Sequence, residues 1–180
     1  MNERVYNRGV DPLRSPERVA RLEVKRVVDV CLENGNISSA LDVGTGSGLF
    51  AEEFNNRGLK IAAIDQNPEM ITAVQNLLPG LDVREARAES IPFKDNSFDL
   101  VFMSLVLHEV DDYSQTIKET FRVSNKEVSI LEWEYIEQEF GPPLKHRLQS
   151  TFIRQLAEEA GFKKVEVIKL KSLVLYKLLK

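Results

Sequence analysis

The run Ala40-Leu41-Asp42-Val43-Gly44-Thr45-Gly46-Ser47-Gly48-Leu49-Phe50 constrains this chain most, because a short apolar stretch meets a carboxylate and then three alternating glycines. Such a strand-to-helix turn opens a parallel α/β sheet, and glycine lets the backbone turn tightly and approach a ligand with no side chain between. The spacing is G-x-G-x-G, and Leu49 stands where the dinucleotide fingerprint needs a third glycine to seat a pyrophosphate on a helix N-terminus. Asp42, at the strand end, would repel a phosphate and suits a cationic group instead. A second apolar run, Ile61-Ala62-Ala63-Ile64, closes in Asp65, 21 positions after Gly44, where an acid accepts both hydroxyls of a ribose. Together the two acids point to an adenosine that carries a positive group.

Strand-like and helix-like patterns alternate along the chain, which implies right-handed crossovers and a mostly parallel sheet with helices on both faces. A first helix is predicted from Ser15 as N-cap with Pro16 at the first helical position; Ala20, Val24, Val27, Val28 and Cys31 recur at helical spacing, and Gly35 stands just past the end. Residues 40–43 read as the first strand, and Phe50, Ala51 and Phe54 face the core from the following helix, which stops near Gly58. Asn67-Pro68 caps the next helix, with Ile71, Val74, Leu77 and Leu78 on one face. Residues 81–86, 98–103 and 128–133 read as strands three to five, the last two as continuous apolar runs buried on both faces. Ser150 is expected to cap a helix carrying Phe152, Ile153, Leu156, Ala157 and Ala160, ended by Gly161. Residues 165–168 and 173–178 suggest a closing hairpin whose last strand runs antiparallel. With no repeat or linker, the chain reads as one domain, residues 1–36 covering the site and 37–180 forming the core.

The run from Leu41 to Gly48, the strand-end Asp65, and Ala88-Glu89-Ser90-Ile91-Pro92-Phe93 followed by Asn96-Ser97-Phe98-Asp99-Leu100-Val101 resemble the class I S-adenosylmethionine-dependent methyltransferases. Within that class the likeness is to the small-molecule group that includes the ubiquinone and menaquinone methyltransferases. It spans residues 37–180, with three motifs in order. The resemblance implies a single-domain Rossmann-like three-layer α/β/α sandwich: a seven-stranded, mostly parallel sheet of order 3-2-1-4-5-7-6 with an antiparallel last strand. It also implies S-adenosyl-L-methionine as cofactor and a small-molecule acceptor. Gly44, Thr45, Gly46 and Gly48 would bring the backbone to the methionine part, with Asp42 near its ammonium. Asp65 would take the ribose hydroxyls, Gln66 and Met70 would line the adenine, Ala88 and Glu89 would read its edge, and Ser104 completes the cofactor side. Met70 reads equally as plain core.

Composition narrows the partners. A chain of 180 residues, 43% hydrophobic, is one domain's worth, and a net charge of −4 offers no basic face for nucleic acid. The single cysteine, Cys31, excludes an internal disulfide and reads as a buried structural thiol. Lys163, Lys164, Lys169, Lys171, Lys177 and Lys180 read as guards of an edge hairpin. Residues 1–6 lack an apolar signal core, and no run approaches the roughly 20 apolar residues needed to cross a bilayer. A cytoplasmic protein engaging neither membrane nor nucleic acid is expected.

A parallel sheet holds its ligand outside the carboxyl ends of its strands. On that rule Leu105, His108, Trp133, Tyr135, His146 and Arg147, which follow strands four and five, form the acceptor side. Methyl transfer from a sulfonium is an in-line displacement in which positioning supplies most of the acceleration, and a base is needed only where the acceptor holds its proton. His108 is the candidate base; the alternative is a histidine that caps or lines the pocket. His146, in Gly141-Pro142-Pro143-Leu144-Lys145-His146-Arg147, belongs either to a pocket wall or to a surface connection. Glu109, Asp111 and Asp112 look like a metal cluster, but Asp111 or Asp112 reads as the cap of the helix holding Ile117 and Phe121, and no metal site is expected. Ser104-Leu105-Val106-Leu107 lacks the Asp/Asn-Pro-Pro-aromatic run of amino-methylating enzymes, and no Pro-Cys pair exists for attack on a pyrimidine carbon. Two other readings stay open. One is a nicotinamide-dependent dehydrogenase, against which Leu49 and Asp42 both count; the other is a non-catalytic scaffold that keeps the fold.

Overall fold

The structure, a computed structural model, describes residues 6, 8–33 and 35–180, so of the expected cover at residues 1–36 positions 1–5, 7 and 34 lie outside the described residues. Seven strands, β1 (Ser39–Val43), β2 (Lys60–Asp65), β3 (Asp82–Glu85), β4 (Phe98–Ser104), β5 (Ser124–Trp133), β6 (Lys164–Lys169) and β7 (Leu173–Leu179), form one sheet in the order β3-β2-β1-β4-β5-β7-β6. The first five run parallel, and β7 is antiparallel to both neighbours, β5 and β6. This is the expected order and the expected reversed last strand.

Among the described residues six α-helices cover the sheet: α1 (Pro16–Leu22), α2 (Val24–Leu32), α3 (Leu49–Asn56), α4 (Pro68–Leu77), α5 (Tyr113–Val123) and α6 (Ser150–Ala160). Side chains alternate across a strand, so β4 divides its apolar residues between two cores. Leu100 and Phe102 join Val27, Val28, Cys31, Phe50 and Phe54 from α2 and α3. The rings of Phe50 and Phe54 lie 4.6 and 5.2 Å from that of Phe102. Val101 and Met103 face the other way, onto Ile117 and Val123 of α5 and Ile153 and Ala157 of α6. Covered on both faces, β1, β4 and the second half of β5 are rich in apolar residues, and the polar side chains buried there, such as Asp42, Glu127, Ser129 and Glu132, are each hydrogen-bonded.

The structure departs from the sequence pattern where a distant contact outweighs a local preference. The first helix is two helices. Glu23 adopts φ 47°, in the left-handed region, and its carboxylate accepts Lys171 N at 2.9 Å and pairs with Arg26 at 2.7 Å. The break frees α1 to turn toward the carboxyl ends of the strands while α2 stays on the sheet; Ala20, expected in the core stripe, is exposed and Leu22 is buried instead. On α4, Met70 and Val74 are the buried residues, and Leu77 is exposed. Asn67 does cap that helix, its side chain accepting Glu69 N. Ser150 is the first residue of α6 rather than its cap, because its hydroxyl is taken by the Tyr176 hydroxyl at 2.7 Å. Lys177 does not guard an edge: β7 is an inner strand, and this side chain is fully buried against Val30 O at 2.9 Å and the carboxylates of Glu33 and Glu127 at 3.0 and 3.8 Å. Cys31 is a buried thiol as expected, pushed up to about 12 by burial.

Candidate functional site

Outside the carboxyl ends of β1, β2, β4 and β5 lies a cleft of about 1160 Å³. Its floor is the glycine loop. Gly44 N and Thr45 N both donate to Ile64 O, at 2.8 and 3.0 Å, which ties the end of β1 to β2. Gly44 has φ 67°, and a Cβ there would fall 2.4 Å from Cγ2 of Val106, so the turn leaves no room for any other residue. Asp65 joins this loop to the next one: Oδ2 accepts Gly46 N at 2.8 Å and Oδ1 accepts Asn67 N at 2.9 Å. Each carboxylate oxygen has a second lone pair for a ligand.

Both strand-end acids are buried. Burial pushes Asp42 up to about 7, opposed by the Thr45 hydroxyl 2.7 Å from Oδ2 and reinforced by the nearby Asp65 charge. Asp65 is also raised, again by burial, against hydrogen bonds from the backbone of Asn67, Gly46 and Gln66. A carboxylate held in this way gains from a cation or from hydroxyl donors brought to it, since either restores the interactions lost with water.

The opposite wall follows β4 and β5. Leu105 has φ 59°, a conformation strained for a branched side chain, held by Leu105 N donating to Leu131 O at 2.8 Å. The turn sends His108 inward, where it is 4% exposed. Its Nδ1 lies 2.9 and 3.1 Å from the two carboxylate oxygens of Glu132, and its backbone N–H donates to the same acid at 3.1 Å. Glu132 also accepts Trp133 N at 3.2 Å. The pairing makes Nδ1 the protonated nitrogen and directs Nε2 toward Glu109, 3.8 Å from Oε1. Beyond β5 the chain folds back so that Phe140 meets Trp133 with ring centroids 6.0 Å apart, and a Cβ on Gly141 would reach within 2.9 Å of the indole. Arg147 holds this return in shape: its guanidinium donates to the carbonyls of Pro142, Glu134, Ile136 and Phe140 and to Gln138 Oε1.

Of the residues singled out from sequence, Asp42, Gly44, Thr45, Gly46, Asp65, Gln66, Met70, Ala88, Glu89, Ser104, Leu105, His108, Trp133 and His146 all line this one cleft. Gly48, Tyr135 and Arg147 do not: Gly48 faces Val74 of α4, Tyr135 is turned to solvent, and Arg147 is spent on loop carbonyls. Met70 is both core and lining, at 3% exposure. The supposed acidic cluster is dispersed, since Asp112 caps α5 through Gln115 N, Asp111 pairs with Arg87, and Glu109 accepts Tyr6 N. Sequence reasoning missed Glu132, Tyr6, Arg18 and Arg21. For Glu132 a signal was present: it is the single acid in the mostly apolar run 128–133.

A family model described as a methyltransferase domain matches residues 41–131, half of the chain. The demethylmenaquinone methyltransferase of Renibacterium salmoninarum is 31% identical over 102 residues, which are 57% of this chain and 43% of that protein. The malonyl-[acyl-carrier protein] O-methyltransferase of Erwinia billingiae is 32% identical over 85 residues, 47% of this chain and 34% of that one. The chain thus spans less than half the length of these curated relatives. A crystal structure of a SAM-dependent methyltransferase from Aquifex aeolicus superposes with a TM-score of 0.81 at 25% identity, covering 94% of this chain and 96% of that one. The match begins inside β1 and ends inside β5, taking in the glycine loop, both acids and His108, and so the chain belongs to the methyltransferase-domain family.

Proposed function

We propose that the chain binds S-adenosyl-L-methionine in this cleft and methylates a small-molecule acceptor. The observation that carries the reading is the pair of buried acids, Asp42 and Asp65, set either side of one glycine loop and opening on the same space as His108. The residues present fit that cofactor. Asp42 offers charge to an ammonium, the second lone pairs of Asp65 offer acceptors to two ribose hydroxyls, and Gln66, Met70 and Ala88 offer a mixed wall to an adenine. When bound, the cofactor supplies an electrophilic methyl group on a sulfonium. The chain's own contribution is positional: the glycine loop and β4 turn fix one side, while Trp133, Phe140 and the proline turn exclude water from the other. His108 takes a proton from the acceptor at Nε2, with Glu132 holding the ring's tautomer and stabilising its charged form.

Calorimetric titration with S-adenosylmethionine, its demethylated product and NAD tests the binding, and tighter binding of NAD than of both adenosyl ligands overturns it. Turnover of labelled cofactor with a metabolite extract separates an enzyme from a scaffold. With an acceptor in hand, His108→Ala lowers the rate by about 10²–10⁴ and removes the acid limb of the pH profile. An unchanged pH profile with a raised KM leaves His108 as a pocket residue only.

A further inference from the structure

The cleft contains cations that the reading above does not use. Arg14, Arg18 and Arg21 follow one another along the N-terminal cover. Arg14 is tied down, donating to Ser47 O at 2.9 Å and pairing with Glu52. Among the described residues the guanidinium groups of Arg18 and Arg21 take part in no hydrogen bond or ion pair, although both line the cleft. They stand three residues apart on α1 and so share a face. Burial lowers the pKa of Arg18, and the Arg21 charge adds to this against the opposing influence of Tyr6 and Glu109. The guanidinium carbon of Arg21 lies over the Phe140 ring, 4.0 Å from its centroid, and its N–H groups are taken by no other group among the described residues. The Tyr6 hydroxyl is buried with no hydrogen-bond partner among the described residues, within electrostatic reach of Arg18 and Arg8. Glu109 faces the same space and accepts Tyr6 N at 3.1 Å, but it lies outside ion-pair distance of either arginine.

A buried unpartnered hydroxyl and two adjacent, half-buried like charges both cost free energy, and one anion between them relieves both. We propose that Arg18, Arg21 and the Tyr6 hydroxyl form a carboxylate site, so that the acceptor is an organic acid whose flat apolar body lies along Trp133 and Phe140 and whose reacting atom points to His108. This rests on the methyltransferase reading. The cofactor's own amino-acid end also carries a carboxylate. The placement favours the acceptor, because Arg21 is seated on Phe140 and it is Arg14 that holds the glycine loop.

Benzoate and its uncharged isostere benzamide are titrated by ligand-observed NMR into the protein saturated with S-adenosylhomocysteine. Benzoate binds at least tenfold tighter than benzamide, and Arg18→Gln or Arg21→Gln erases that preference while affinity for S-adenosylhomocysteine stays within twofold. Tyr6→Phe weakens benzoate by a smaller factor, and Arg18→Lys restores part of the loss. Thermal melts establish that each variant is folded. Equal binding of the two probes, or an undiminished preference in both glutamine variants, overturns the site. A tenfold loss of S-adenosylhomocysteine affinity in Arg18→Gln overturns it too, by assigning the arginine to the cofactor. Should the wild type fail to bind S-adenosylhomocysteine, the methyltransferase reading falls instead, and the same titrations without it still decide the carboxylate site.

Discussion

Two groups of charge lie at opposite ends of β5, and they are built on opposite terms. Near its start, Lys177 is fully buried with every direction filled: Val30 O and Glu33 take its ammonium, Glu127 stands 3.8 Å away, and the Ser129 hydroxyl donates to Glu127 at 2.6 Å. Burial alone would lower the Lys177 pKa, yet Glu127 and Glu33 raise it, so this cation is held charged. Past the other end of β5, Arg18 and Arg21 face the cleft with no such partners among the described residues. The contrast separates two uses of a polar side chain in a protein interior. A charge that serves the fold is satisfied by the fold, whereas one left unsatisfied beside a cavity is satisfied by whatever enters it.

The largest effect expected on this contrast is at Lys177. Lys177→Met strands Glu127 without its counter-charge and costs about 3 kcal/mol in stability, measured by chemical denaturation; a loss under about 1 kcal/mol would erase the difference between the two groups. Next comes Asp65, where the cleft's own acid is tested. Asp65→Ala weakens S-adenosylhomocysteine binding by about 2 kcal/mol by calorimetry, with the fold retained, since charge-assisted hydrogen bonds to two hydroxyls are lost.

Smaller still is the pH response of Asp42. Its folded pKa, raised to about 7, lies above the unfolded value of an ordinary aspartate, so the folded state holds a proton that the unfolded state releases. The contribution of Asp42 to stability is therefore present below about pH 4 and declines as pH rises to about 7. Cofactor binding runs the other way, because an ammonium selects the ionised acid. Affinity for S-adenosylmethionine rises about tenfold from pH 6 to pH 8, about 1.4 kcal/mol, with proton release on binding. Asp42→Asn flattens both curves, and a pH-independent affinity in the wild type would remove the ammonium contact. Smallest is the stability change in Arg18→Gln, within about 0.5 kcal/mol of wild type, because no hydrogen bond or ion pair among the described residues depends on that guanidinium.

Local features of the site were legible wherever the partner of a group lies a few residues away. The contact of Asp42 with the Thr45 hydroxyl, that of Asp65 with Asn67 N, the Asn67 cap of α4 and the Asp112 cap of α5 are each a short run of chain meeting itself. Other features were hidden because their partners are far off in sequence. Glu132 meets His108 across 24 positions, and Lys177 meets Val30 across 147. The first helix was misread for the same reason: the Val24, Val27, Val28 and Cys31 stripe is real, but the break at Glu23 is held by Lys171 N, 148 positions away.

By itself the sequence determined the order of strands and helices, the glycine loop that floors the cleft, and the two acids beside it. Period, turn residues and strand-end carboxylates act over a few bonds of backbone and leave the chain little choice. Only the tertiary structure decided which charges are paired and which are left facing the cleft. Glu127 and Lys177 are brought together by the reversed strand β7, while the break between α1 and α2 sets Arg18 and Arg21 over the cleft. The physical reason is that the burial and neighbours of a charge are properties of the assembled interior, where a side chain's surroundings come from segments that share no stretch of sequence.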